Sequence, residues 1–136
     1  MPGSTRPWTV VKDRMSENRM AHRISATRDA PSQARRMIGE MSSNIGRGID
    51  DVALVLSELV TNSVVHGNGS GDIDFSLDVG NSIRVEVTDR GAGFDPSKRP
   101  RSSDGLGLVL VERLAQDWGV SRDGDQFTVW AVLPRG

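Results

Sequence analysis

Glu58 and Asn62 stand four residues apart in the stretch Ser57-Glu58-Leu59-Val60-Thr61-Asn62. On a helix that spacing projects both side chains from one face, about one turn apart. A carboxylate and an amide oxygen so placed can hold a hard cation such as Mg²⁺, which also keeps waters and phosphate oxygens. The carboxylate can instead take a proton from an attacking hydroxyl or water. A plain solvated face has the same spacing, although Leu54, Val55 and Val65 beside it are unusual for one. A second candidate is Asp89-Arg90-Gly91-Ala92-Gly93. Glycine lets a backbone approach a flat ligand closely and adopt positive φ. A carboxylate at that mouth can accept a hydrogen bond from an exocyclic amine such as that of adenine. An ordinary Asp-x-Gly turn reads the same way. The third is Gly105-Leu106-Gly107-Leu108. Free N–H groups at a helix start bind phosphate, and glycine lets it come close. Two glycines easing a loop into a helix are the alternative.

These residues need elements to hold them. Ile49, Val52, Ala53, Leu56, Leu59, Val60 and Val64 share one broad helical face, which predicts a helix from about Ile49 to His66. Asp50 and Asp51 suit its first turn, and Gly67-Asn68-Gly69-Ser70-Gly71 stops it. Glu58 and Asn62 are expected opposite the apolar face. An earlier helix starts at Asp29-Ala30-Pro31-Ser32, carries Ala34, Met37, Ile38 and Met41 inward, and ends before Gly46. Ile73, Phe75, Leu77 and Val79 alternate with polar residues, as do Ile83, Val85 and Val87, so two half-buried strands form a hairpin about Gly80-Asn81. Asp89 closes the second strand. Residues 90–105 form a polar loop. A third helix is expected from Gly105 to about Trp118, with Leu106, Val109, Leu110 and Leu114 inward. Phe127, Val129, Ala131 and Leu133 mark a last strand stopped by Pro134. Residues 20–28 suit a short edge strand. Residues 1–19 read as a flexible arm, with a short extended piece at Trp8 to Val11, leaving 20–136 as the domain. The resulting order, β-α-α-β-β-loop-α-β-β, predicts an α+β two-layer sandwich. Its sheet is mostly antiparallel but mixed, with about three helices on one face.

Composition removes alternatives. The chain has 136 residues, enough for one domain. It has no cysteine, which excludes disulfides, thiolate metal sites and a cysteine nucleophile. Its two histidines, His22 and His66, are too few for a histidine-rich metal site. The net charge of -1 gives no global field for nucleic acid, although residues 1–47 carry nine basic and four acidic side chains and the remainder eight and fourteen. The longest apolar runs, Val52 to Leu56 and Val129 to Leu133, are five residues, far short of a membrane span. A soluble cytoplasmic protein is therefore expected, with neither nucleic acid nor membrane as a direct partner. No P-loop is present, the two lysines Lys12 and Lys98 lie outside any such context, and the glycine pattern lacks the third member of a dinucleotide fingerprint. Fifteen glycines are the compositional outlier, and seven of them flank the three candidate sites.

In this order the motifs form a known set. SELVTNSVVHG resembles the N-box of the GHKL ATPase superfamily, the Bergerat fold shared by gyrase, a heat-shock chaperone, histidine kinases and mismatch-repair ATPases. DRGAGFDP resembles its first glycine box, DGLGLVLVERLAQDWGV its second, and FTVWAVLP its closing strand. Gly124-Asp125-Gln126-Phe127 lacks the second glycine often seen before the threonine there. The N-box is most similar to that of the small anti-sigma factor serine/threonine kinases, and the likeness covers about residues 20–134.

The resemblance implies ATP and Mg²⁺ as cofactors. Asn62 would hold Mg²⁺ across the phosphates. Glu58 would be the general base toward a serine or threonine of a protein substrate. Asp89 would read the adenine amine, Gly91 and Gly93 would line the base, and Thr128 would support Asp89 or a water beside it. Gly105, Leu106, Gly107 and Leu108 would cradle phosphates. The loop from Phe94 to Asp104 would be the lid, from which Lys98, Arg99 or Arg101 would neutralise transferring charge, unless these are simply solvated. His66 suits a helix C-terminus. His22 invites comparison with a phospho-accepting histidine but lacks the helical hairpin such a residue needs. The expected function is a kinase that sequesters a sigma factor and phosphorylates an anti-anti-sigma protein of the STAS type, working as a homodimer. The alternatives are an ATP-binding module without transfer and a detached histidine kinase catalytic domain.

Overall fold

The computed structural model describes residues 19–66, 71–93 and 106–135. The chain starts with β1 (Arg19–Ser25), followed by α1 (Ala30–Ile38). A 3-10 turn at Gly39–Met41, the one-turn α2 (Ser42–Ile45) and a second 3-10 turn at Gly46–Gly48 lead into α3 (Ile49–His66). Next come β2 (Asp72–Val79), β3 (Ser82–Asp89), α4 (Leu106–Leu114), β4 (Asp117–Asp123) and β5 (Gln126–Pro134). Residues 1–18 of the expected arm, 1–19, lie outside the described residues, and Arg19 already belongs to β1.

One five-stranded sheet has the order β1-β2-β3-β5-β4. All four of its pairings are antiparallel, so the sheet expected to be mixed carries no parallel pair among the described residues. The pleat explains the layering. Ile73, Phe75 and Leu77 of β2, Ile83, Val85 and Val87 of β3, and Val129, Ala131 and Leu133 of β5 are buried on one face. That face meets Ala34 and Ile38 of α1 and Val52, Leu56 and Leu59 of α3 in a single core. The fold is therefore α+β, with the helices on one face of the sheet.

α3 is the central helix and its ends fall where the sequence placed them. It packs against α1, α4 and β3. Neighbours on more than one side widen its buried arc, which includes Val55 and, at its edge, the polar Asn62. Glu58, half-buried, sits at the margin of that arc. The pair is therefore beside the apolar face, rather than opposite it as expected.

α4 departs from expectation at its far end. It stops at Leu114, and Trp118 already belongs to strand β4. Leu108 and Val111 are buried and Leu114, expected inward, packs partly buried against the core, whereas Val109, also expected inward, is 38 % exposed. β4 lies at the sheet edge with mostly exposed or half-buried residues, so its sequence shows no clean alternation to separate it from the preceding helix.

Candidate functional site

α3 carries Asn62 into the interior at 7 % exposure, and its Nδ2 is fully enclosed with no hydrogen-bond partner. Leaving a buried amide donor unsatisfied costs about 1–3 kcal/mol. A half-turn of the amide exchanges nitrogen for oxygen, so the group can present either a donor or an acceptor. One turn earlier, Glu58 remains half-buried. The hydroxyls nearest to it in sequence are bonded within the helix: Ser57 Oγ donates to the Leu54 carbonyl at 3.0 Å and Thr61 Oγ1 to the Ser57 carbonyl at 2.8 Å. Neither is a rival to the carboxylate for proton transfer. His66 is the last residue of α3, where a basic side chain meets the helix dipole.

Asp89 ends β3 on the helix side of the sheet and is 6 % exposed. Its Oδ1 accepts the Gly91 N–H at 2.7 Å, an Asx-type turn that fixes the carboxylate against the following loop. Gly91 is buried beside it. Gly93 has φ +73°, and a Cβ there would come within 2.5 Å of the Phe127 ring. Both the backbone sign and the close approach require glycine. Gly93→Ala is expected to lower stability by about 2–4 kcal/mol, from the left-handed backbone plus overpacking, read as a fall in melting temperature. A loss of only about 1–2 kcal/mol would mean that Phe127 moves aside and the backbone cost alone remains, and an unchanged melting temperature would remove both causes.

Thr128 is not brought to Asp89. Cross-strand partners share a face, and Thr128 pairs with Thr88, one residue off Asp89 in register. Its hydroxyl meets that of Thr88 at 2.7 Å on the side of the sheet away from the helices. The residue opposite Asp89 is Phe127. Direct support of Asp89 by Thr128, one of the two roles expected of it, does not fit this register: the polar contact comes from Gly91, and Phe127 supplies an apolar wall.

A residue that the sequence did not single out joins this site. Arg122 of β4 pairs with Phe127, its Nη2 donates to the carbonyls of Gly91 at 2.9 Å and Ala92 at 2.7 Å, and its guanidinium lies 5.4 Å from the Phe127 ring centroid. The β4–β5 register alone reveals it, and that register requires β4 to be recognised as a strand.

α4 begins with Leu106, Gly107 and Leu108, so a helix start stands where one was expected, and Leu108 is buried. Gly105 and the lid residues Lys98, Arg99 and Arg101 lie outside the described residues. His22 pairs with Phe75 on the sheet, and its Nε2 is 3.5 Å from Glu40 Oε1. No helix among the described residues is long and apolar enough to cross a membrane.

The described residues thus combine an antiparallel sheet with helices on one face, a turn after β3 in which Asp89 and Gly91 are buried, and a polar pair on the central helix. The histidine kinase-like ATPase domain family matches residues 20–133, and the chain belongs to that family. Membership implies ATP as the ligand. The anti-sigma F factor of Clostridium acetobutylicum is 31% identical over 114 residues, which span 72% of this chain and 80% of that protein. Solved structures share the fold. The RsbU and RsbW domains of a Mycobacterium tuberculosis protein superpose with a TM-score of 0.63 at 22% identity, over 85% of this chain and 32% of that one. This chain thus spans about a third of that protein's length. The histidine kinase AdeS of Acinetobacter baumannii gives 0.54 at 13% identity, over 98% of this chain and 76% of that one.

Proposed function

We propose that this chain is an ATP-dependent serine/threonine protein kinase that also acts as an anti-sigma factor. It binds a sigma factor and phosphorylates a STAS-type anti-anti-sigma protein that competes for the same partner. The observation that carries the reading is the enclosed, unpartnered amide of Asn62 one turn from a half-buried Glu58, in a chain similar to an anti-sigma F factor.

The roles follow from the chemistry of each group. Asp89 accepts the adenine amine through the carboxylate oxygen that Gly91 does not hold. Asn62 supplies its amide oxygen to Mg²⁺. The remaining positions of such a cation would be taken by waters and nucleotide oxygens. Bound Mg²⁺ would neutralise charge on the phosphates. Glu58 accepts the proton of the substrate hydroxyl, and Lys98, Arg99 or Arg101 would supply the positive charge that neutralises the transferred group. Phosphoryl transfer depends mainly on such positioning and charge neutralisation. A homodimer is the working assembly.

The direct test incubates the purified protein with Mg-ATP labelled at the γ-phosphate and STAS-domain proteins encoded in the same genome. Label on a partner serine or threonine is the expected result. Tight ATP binding with no labelled partner would leave a binding module that only uses nucleotide to shape its surface.

A further inference from the structure

We infer that Arg122 is a positioning residue for base recognition, acting through the Gly91 backbone on Asp89. The inference rests on the assignment of Asp89 to the adenine amine. One residue carries the coupling through its two flanking peptides: the Gly91 N–H, in the Arg90–Gly91 peptide, donates to Asp89 Oδ1 at 2.7 Å, while the Gly91 carbonyl, in the Gly91–Ala92 peptide, accepts from Arg122 Nη2 at 2.9 Å. The same nitrogen reaches the Ala92 carbonyl at 2.7 Å. Both hydrogens of one guanidinium nitrogen thus hold consecutive carbonyls, a forked geometry that arginine presents rigidly.

The rest of the loop is tied to the same hairpin. Arg90 Nε lies 4.0 Å from Asp125 Oδ2 in the β4–β5 turn, and Gly93 backs directly onto Phe127. Arg122 itself pairs with Phe127 in the sheet, so its stem starts from a fixed register position. The glycine turn is therefore held from below by the last hairpin, which is remote in sequence. Without the guanidinium the Gly91–Ala92 peptide loses its anchor, the φ and ψ of Gly91 are free to change, and the Asp89 carboxylate then follows the Gly91 N–H that it accepts. Asp89 remains the group that touches the base, and Arg122 sets its direction.

This role predicts a loss of discrimination rather than only a loss of stability. The readout is the ratio of dissociation constants for purine riboside triphosphate, which lacks the exocyclic amine, and ATP. Arg122→Met keeps an apolar stem over Phe127 and removes the fork, while Arg122→Ala removes both. Each is measured at a temperature where thermal melting shows it folded. Both variants are expected to lower the ratio by about threefold to tenfold, part of the way to the value of Asp89→Asn, because misdirecting the carboxylate forfeits only a share of the about tenfold to hundredfold that a hydrogen bond to a charged acceptor carries. An unchanged ratio in both Arg122 variants, with the ratio collapsed in Asp89→Asn, overturns the inference and leaves Asp89 as the base reader. An unchanged ratio in Asp89→Asn itself overturns the base assignment, and the inference with it.

Discussion

Glu58→Ala is expected to slow phosphoryl transfer to the STAS substrate by about 10²–10⁴-fold, the range that a positioned general base supplies. ATP affinity should stay within about twofold, because a base toward the protein hydroxyl acts on the transition state rather than on bound nucleotide. The geometry favours this separation. Glu58 is half-buried at the margin of the packed face of α3, so its removal leaves no large cavity. The neighbouring Ser57 and Thr61 hydroxyls are bonded to the carbonyls of Leu54 and Ser57 and do not replace it. Asn62, by contrast, is enclosed in the interior, and its substitution is expected to weaken Mg-ATP binding and transfer together. Glu58→Gln checks that shape is not the cause, since the amide fills the same space without accepting the proton. Quench-flow or filter-bound label measures the rate, and a fluorescent nucleotide measures affinity. A transfer rate within about threefold of the parent's in both variants would remove Glu58 from the mechanism.

The sequence carried those elements whose signal is local. β2 and β3 alternate strictly because one face of the sheet is buried, and α3 is bounded by acids in its first turn and a glycine-rich stretch beyond His66. The positions of Asp89, Gly91 and Gly93 at a strand end were legible for the same reason. Other features depend on neighbours that a single segment does not reveal. The wheel of α3 cannot show that α1, α4 and β3 surround it, so Asn62 reads as exposed when it is buried. Thr128 and Phe127 differ by one residue, and only the pairing of β5 with β3 decides which one lies across from Asp89. Arg122 reaches Gly91 over a separation of 31 residues, and its strand is an edge with little apolar pattern.

Asp89→Asn is expected to weaken ATP binding by about tenfold to a hundredfold, because a hydrogen bond to a charged acceptor contributes about 1.5–3 kcal/mol and each 1.4 kcal/mol is tenfold. The substitution is nearly isosteric. Its amide oxygen can still accept the Gly91 N–H, so the turn and the surrounding core are expected to hold. What changes is the other end, where a carboxylate oxygen becomes an NH₂ group. Two donors, that NH₂ and the adenine amine, would then face each other, and one buried donor is left without a partner. Calorimetry of ATP binding, with melting of the ligand-free protein as the control, separates this loss from unfolding. The contrast with Gly93→Ala is informative. There the damage falls on the apo fold through Phe127, whereas Asp89→Asn should spare the melting temperature and remove the nucleotide's protection against heat. If Asp89→Asn binds ATP as tightly as the parent, the buried carboxylate is a structural Asx turn, and the adenine must be read elsewhere.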